Sequence, residues 1–121
     1  MSDRQLSGRH ILVVKDEIMV LLLIEEILAE LGASVAAAAT VPEALALIDA
    51  QVFDVATLDV NLNGTTSYPV ADALAARGVP FVFSTGYSDH ALKIGYRDRP
   101  VLTKPFKPQE LVDTCLRLLA C

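Results

Sequence analysis

Cysteine is scarce in this chain, and its two copies, Cys115 and Cys121, sit close together near the C-terminal end. Such a pair cannot staple a disulfide framework, which points to a reducing, cytoplasmic setting. Runs of Lys or Arg are absent: ten basic residues stand against fifteen acidic ones, for a net charge of -5. Without a basic stripe to track phosphates, binding to nucleic acid is not expected. A long apolar run is missing as well. The nearest approach, Ile18 to Leu31, is broken by Glu25, Glu26 and Glu30, too polar and too short to span a bilayer. Met1 to His10 has no apolar core of the kind a signal peptide needs. The expectation is a soluble cytosolic protein with neither a membrane nor a nucleic-acid partner.

What is present is a chain of 121 residues, 53% of them hydrophobic, which suits one domain of ordinary size. Folding at this length buries roughly two-thirds of the extended surface, so no disulfide, metal or obligate partner is required for stability. Residues 1–9 read as a flexible N-terminus and 10–121 as the domain. Short β-branched runs alternate with helical patterns, the sign of a parallel sheet covered by helices on both faces. Strands are predicted at Ile11 to Val14, Ser34 to Ala38, Val55 to Leu58, Phe81 to Ser84 and Val101 to Thr103. Helices are predicted at Ile18 to Leu31, stopped by Gly32, and after the capping box of Thr40, Pro42 and Glu43. Two more are predicted at Pro69 to Arg77, closed by Gly78, and at Pro108 to Ala120. Asn61 to Ser67 is a loop by composition. Between Gly86 and Pro100 only Asp89 to Ile94 has helical character, so a fourth helix there should be short or frayed.

In an open parallel sheet, functional side chains gather at the carboxyl ends of the strands. Lys15, Asp16 and Glu17 follow strand one, Asp59 ends strand three, Thr85 follows strand four and Lys104 follows strand five. Carboxylates, a hydroxyl and an ammonium on one edge suit phosphoryl transfer, with a carboxylate nucleophile, acidic ligands for a hard divalent cation, and groups that neutralise phosphoryl oxygens.

At these positions the sequence resembles the receiver domain of two-component response regulators. The matching pieces are Ile11-Leu-Val-Val-Lys-Asp-Glu17, Leu58-Asp59-Val-Asn61-Leu-Asn-Gly64, Ser84-Thr85-Gly86 and Lys104-Pro105-Phe106, in order and at the right intervals from His10 onward. The resemblance implies a flavodoxin-like, doubly wound α/β fold with five parallel strands in the order 2-1-3-4-5. It implies that Asp59 accepts a phosphoryl group from a sensor histidine kinase or a histidine phosphotransfer protein, and that the domain then signals to a downstream protein. It implies Mg2+ held by Asp16, Asp59 and the Asn61 carbonyl, with Thr85 as the switch hydroxyl and Lys104 as the phosphoryl-binding lysine. Such a domain is a signalling module rather than an enzyme, apart from Mg2+-dependent self-phosphorylation and autodephosphorylation. Pro105 resembles a proline that follows that lysine through a cis bond.

Two departures stand out. Receivers usually place a second acidic residue where this chain has Lys15, which exchanges a negative charge for a positive one beside the metal. Lys15 could instead pair with Asp59 and act as the cation, leaving a phosphate-independent interaction module as the alternative reading. Val101 replaces the aromatic switch three residues before Lys104. Pro80-Phe-Val-Phe-Ser-Thr-Gly-Tyr87 resembles the "FAT GUY" subgroup of alphaproteobacterial receivers, and similar receivers attached to hybrid kinases, with Ser84 in place of the subgroup's alanine.

Other readings of the same residues are weaker. Asp59 to Gly64 matches the first half of an EF-hand loop, but Val70 stands where the bidentate Glu is required and a strand precedes it. A haloacid dehalogenase-type phosphatase needs a second aspartate at Asn61 and a longer chain. Asp16 can serve as a helix N-cap and Glu17 as a partner of the helix dipole. Tyr68 and Tyr87 read equally as packing or as signalling residues, Cys115 as core, and His10 and His90 as solvated.

Overall fold

The computed structural model describes residues 6–62, 65–85, 101–103 and 108–120. In chain order the elements are β1 (His10–Val14), α1 (Ile18–Glu30), β2 (Ser34–Ala38), α2 (Val41–Ala50), β3 (Val55–Asp59), β4 (Asn61–Leu62), β5 (Thr65–Thr66), α3 (Tyr68–Ala76), β6 (Phe81–Thr85), β7 (Val101–Thr103) and α4 (Pro108–Ala120). Five strands form one sheet in the order β2-β1-β3-β6-β7, every pairing parallel. This is the flavodoxin-like order that the resemblance implies. The expected helix at Asp89 to Ile94 lies outside the described residues. Among those residues no helix is long and apolar enough to cross a membrane.

Period-two alternation sorts the strands onto two faces. Leu12, Val14, Ala56, Leu58, Phe81 and Phe83 pack with α2 and α3, and Phe81 meets Phe83 edge-on at 5.3 Å between ring centroids. Ile11, Val13, Val55 and Val82 point the other way and pack with α1 and α4, whose Leu21, Ile24, Leu28, Leu111 and Cys115 complete a second core. Cys115 is core as the sequence implied, and burial pushes its thiol up to about 12, so it is a poor nucleophile at neutral pH. Thr57 faces this second core by the same alternation. It is fully buried, and its hydroxyl finds no hydrogen-bond partner among the described residues.

The helix boundaries follow from local chemistry. Thr40 Oγ1 accepts a hydrogen bond from the Glu43 amide at 3.3 Å, and Glu43 reaches back to the Ala39 amide at 3.2 Å. That is a capping box displaced by one residue at its return bond. Helices α1 and α3 both end in Schellman motifs. Ala33 and Gly32 donate to the carbonyls of Leu28 and Ala29, and Val79 and Gly78 donate to those of Leu74 and Ala75. Gly32 and Gly78 have φ of +95° and +71°, the left-handed backbone that this closure needs.

Part of the segment expected to be a flexible N-terminus is packed. Leu6 is buried in the α1/α4 core, its amide donates to the Leu31 carbonyl at 3.0 Å, and the chain crosses directly over Gly32. One apolar residue in a polar stretch is enough to anchor that turn once a core lies beside it.

This crossing separates the two glycines. A Cβ on Gly32 would meet Ser7 Cα at 2.9 Å, whereas one on Gly78 meets nothing within 4 Å. Gly78→Ala should lose only the backbone term, about 1–2 kcal/mol. Gly32→Ala should lose clearly more in the same urea titration; equal losses would mean that the N-terminal turn yields freely.

Candidate functional site

The carboxyl ends of β1, β3 and β6 are adjacent in the sheet, so residues leaving those strands are brought together although far apart in sequence. Asp59 is paired in register with Ser84, and both continue the side-chain row that Val55 and Val82 begin on the α1/α4 face. Lys15 lies two residues beyond Val13, and its amide extends the β1–β2 ladder by donating to the Ala38 carbonyl at 3.0 Å. Three polar side chains thus end up at the top of a face that is otherwise apolar.

Their contacts are short. The Lys15 ammonium donates to Asp59 Oδ1 at 2.6 Å and to Ser84 Oγ at 3.4 Å. Lys15, Asp59 and Ser84 are each only 1% exposed, which makes this a buried, hydrogen-bonded ion pair rather than a surface one. Lys15 is among the largest of the fully buried side chains in the described residues. A buried charge needs this degree of partnering, because desolvation by itself strongly disfavours it.

Asp16 follows Lys15 at the same edge and is half-buried. It is not the N-cap of α1; that position belongs to Glu17, which makes no side-chain cap bond. Asn61 opens the small antiparallel β4–β5 hairpin, where it pairs with Thr66. The polar stretch read as a loop is therefore anchored structure, with Val60 and Leu62 buried in the α2/α3 core. Asn63-Gly64, a dipeptide that favours two-residue hairpins, was the sequence signal for it. Thr85 ends β6 in register with Thr103. Lys104, Pro105 and Tyr87 lie outside the described residues. Tyr68 is a packing residue, edge-on to Phe83 at 6.1 Å.

The donor set that the resemblance assigns to Mg2+ can be tested on this geometry. An ammonium already holds Asp59 Oδ1 at 2.6 Å, and a divalent ion on that oxygen would meet a like charge within a few ångströms. Asp16 is the one carboxylate next to it in the chain, where a receiver normally supplies two. Among the described residues, no group of three or more His, Cys, Asp or Glu is arranged to hold a metal ion. The residues as they stand do not fit a divalent cation at Asp59. Ser84, which sequence reasoning placed in the piece Ser84-Thr85-Gly86 and as an exchange for the subgroup's alanine without giving it a role, is a contact of the central lysine.

Comparison with known proteins follows the same line. The model of the response regulator receiver domain matches residues 11–116. No curated protein matches. Among solved structures, SdrG from Sphingomonas melonis Fr1 is 42% identical, with 97% of this chain and 98% of that chain covered and a TM-score of 0.79. The BeF3-activated conformation of SdrG, also 42% identical, covers 98% of this chain and 99% of that chain at a TM-score of 0.75. TrrA from Thermotoga maritima, solved in complex with Mg2+-BeF, is 26% identical over 92% of this chain and 99% of that chain, at a TM-score of 0.79.

Removing the ammonium should change metal binding in a definite direction. Lys15→Asp places an acidic residue where the cation's water-held ligand belongs in receivers, and should bind Mg2+ more tightly than the parent. In thermal melts, Mg2+ should raise the Tm of the variant and leave that of the parent nearly unmoved. Equal or larger stabilisation of the parent would show that Lys15 does not oppose the ion.

Proposed function

The chain belongs to the response regulator receiver family, and from that premise we propose that it is a phosphoacceptor domain whose acceptor is Asp59. The observation that carries this reading is the buried Lys15–Asp59–Ser84 cluster at the carboxyl ends of three neighbouring strands. It is the one place among the described residues where a carboxylate is held against a cation inside the fold. In this reading a carboxylate oxygen of Asp59 is the nucleophile that attacks phosphorus. The phosphoryl group arrives with further negative charge, which the same ammonium can take up. SdrG, the more similar of the two relatives, adopts an activated conformation with BeF3, which supports a working acceptor.

In this reading the donor is a sensor histidine kinase or a histidine phosphotransfer protein, and the phosphorylated surface is read by a downstream protein in the cytoplasm. Thr85 and Lys104 take the roles that the resemblance assigns, as switch hydroxyl and phosphoryl-binding lysine. The Mg2+ contacts that the resemblance assigns to Asp16 and the Asn61 carbonyl are opposed by the ammonium on Asp59. Transduction is the domain's function, and turnover is limited to loss of its own phosphoryl group.

A second reading has one observation in its favour. Asp59 is already neutralised and enclosed, which is also what a phosphate-independent interaction module that keeps the fold would show.

Acetyl phosphate with Mg2+, followed by intact mass, separates the two. The phosphoacceptor gains one phosphoryl group, and Asp59→Asn abolishes the gain. An unchanged mass at saturating phosphodonor assigns the chain to the phosphate-independent reading.

A further inference from the structure

We propose that Lys15, steadied by Ser84, supplies the positive charge that a divalent cation would otherwise bring to Asp59, so that phosphoryl acceptance proceeds without bound metal. The proposal rests on Asp59 being the phosphoacceptor and adds to that reading which cation acts there.

The geometry points this way on three counts. The ammonium sits at 2.6 Å from the carboxylate oxygen, at the distance of a charge-assisted hydrogen bond. It is buried to the same extent as the carboxylate, in surroundings where a charge acts far more strongly than in water. And it is held from a second strand: Ser84 Oγ accepts from it at 3.4 Å, and Ser84 is in register with Asp59 across β3 and β6. A lysine anchored only by Asp59 would lose its partner when that oxygen reacts. One that also bonds Ser84 keeps a fixed acceptor on β6 throughout.

The step itself needs nothing further. A carboxylate oxygen of Asp59 attacks phosphorus and a new P–O bond forms. The bond from phosphorus to the donor's leaving atom breaks, an oxygen in acetyl phosphate and an imidazole nitrogen in phosphohistidine, and the leaving group, acetate or the histidine imidazole, departs with the electron pair. The acyl phosphate carries more negative charge than the carboxylate did, so the ammonium interacts more strongly with the product side of the reaction than with the starting state. That difference is what accelerates a reaction. Lys15 touches the reacting carboxylate and is a catalytic residue in this scheme. Ser84 acts through Lys15 and is a positioning residue.

The test follows acetyl phosphate modification of the full chain by intact mass over time, in buffer with Mg2+ and in buffer with EDTA. The parent should be modified in both, at rates within about twofold, a difference of well under 1 kcal/mol in barrier. Lys15→Asp should be modified only with Mg2+. Ser84→Ala should slow the reaction in EDTA by about threefold to tenfold, the worth of one ordinary hydrogen bond, as befits a contact of 3.4 Å. Ser84→Thr, which keeps the hydroxyl, should restore the rate, whereas a loss of packing alone would not be repaired in this way. If Lys15→Asp fails to melt cooperatively, the parent's two rates decide alone. A parent modified only with Mg2+ overturns the proposal and leaves Asp59 as acceptor. A parent modified in neither buffer overturns the acceptor reading and the proposal with it. A Ser84→Ala rate in EDTA equal to the parent's removes Ser84 from the scheme.

Discussion

A lysine ammonium and an aspartate carboxylate 2.6 Å apart inside the protein set the terms for everything around them. Each charge would be strongly unfavourable alone, and deleting one partner of such a pair typically costs about 3–5 kcal/mol. The pair is satisfied because three parallel strands end side by side. With strands about 4.8 Å apart, the long Lys15 side chain can cross from β1 to Asp59 on β3 and still touch Ser84 on β6. Strand order thereby becomes local chemistry. A winding that separated β1 from β3 would leave the lysine and the aspartate buried without each other.

Much of this was readable from residue order. The strand at Val55–Asp59, the capping box at Thr40 and Glu43 and the glycine stops at Gly32 and Gly78 each rest on interactions within a few residues, which sequence patterns record directly. The carboxyl-end rule then selected Lys15, Asp16 and Asp59 without coordinates. The possibility of a Lys15–Asp59 contact came from the resemblance, which sets Lys15 where receivers usually carry an acidic residue.

The features that escaped depend on contacts between distant segments. Leu6 is one apolar residue in a polar stretch, and nothing local marks it as buried; its place is made by the α1/α4 core and by the missing side chain of Gly32. Ser84 looked like an exchange of one small residue for another until its register with Asp59 turned its hydroxyl toward the lysine. The β4–β5 hairpin was hidden because polar residues dominate it, although buried Val60 and Leu62 pin it to the α2/α3 side.

The two-faced sheet has an evolutionary consequence. Lys15, Asp59 and Ser84 project on the side of α1 and α4, while the aromatic pair Phe81 and Phe83 belongs wholly to the side of α2 and α3. A close-packed interior transmits small volume changes to whatever it touches. Drift among residues of the α2/α3 core is insulated from the cluster by a layer of backbone, and it can be absorbed as stability alone. Drift in the α1/α4 core shifts the floor on which the cluster rests. The side occupied by Val13, Val82 and Cys115 is therefore the one where a change chosen for stability also shifts the cluster, and the opposite side is where variation reaches it least.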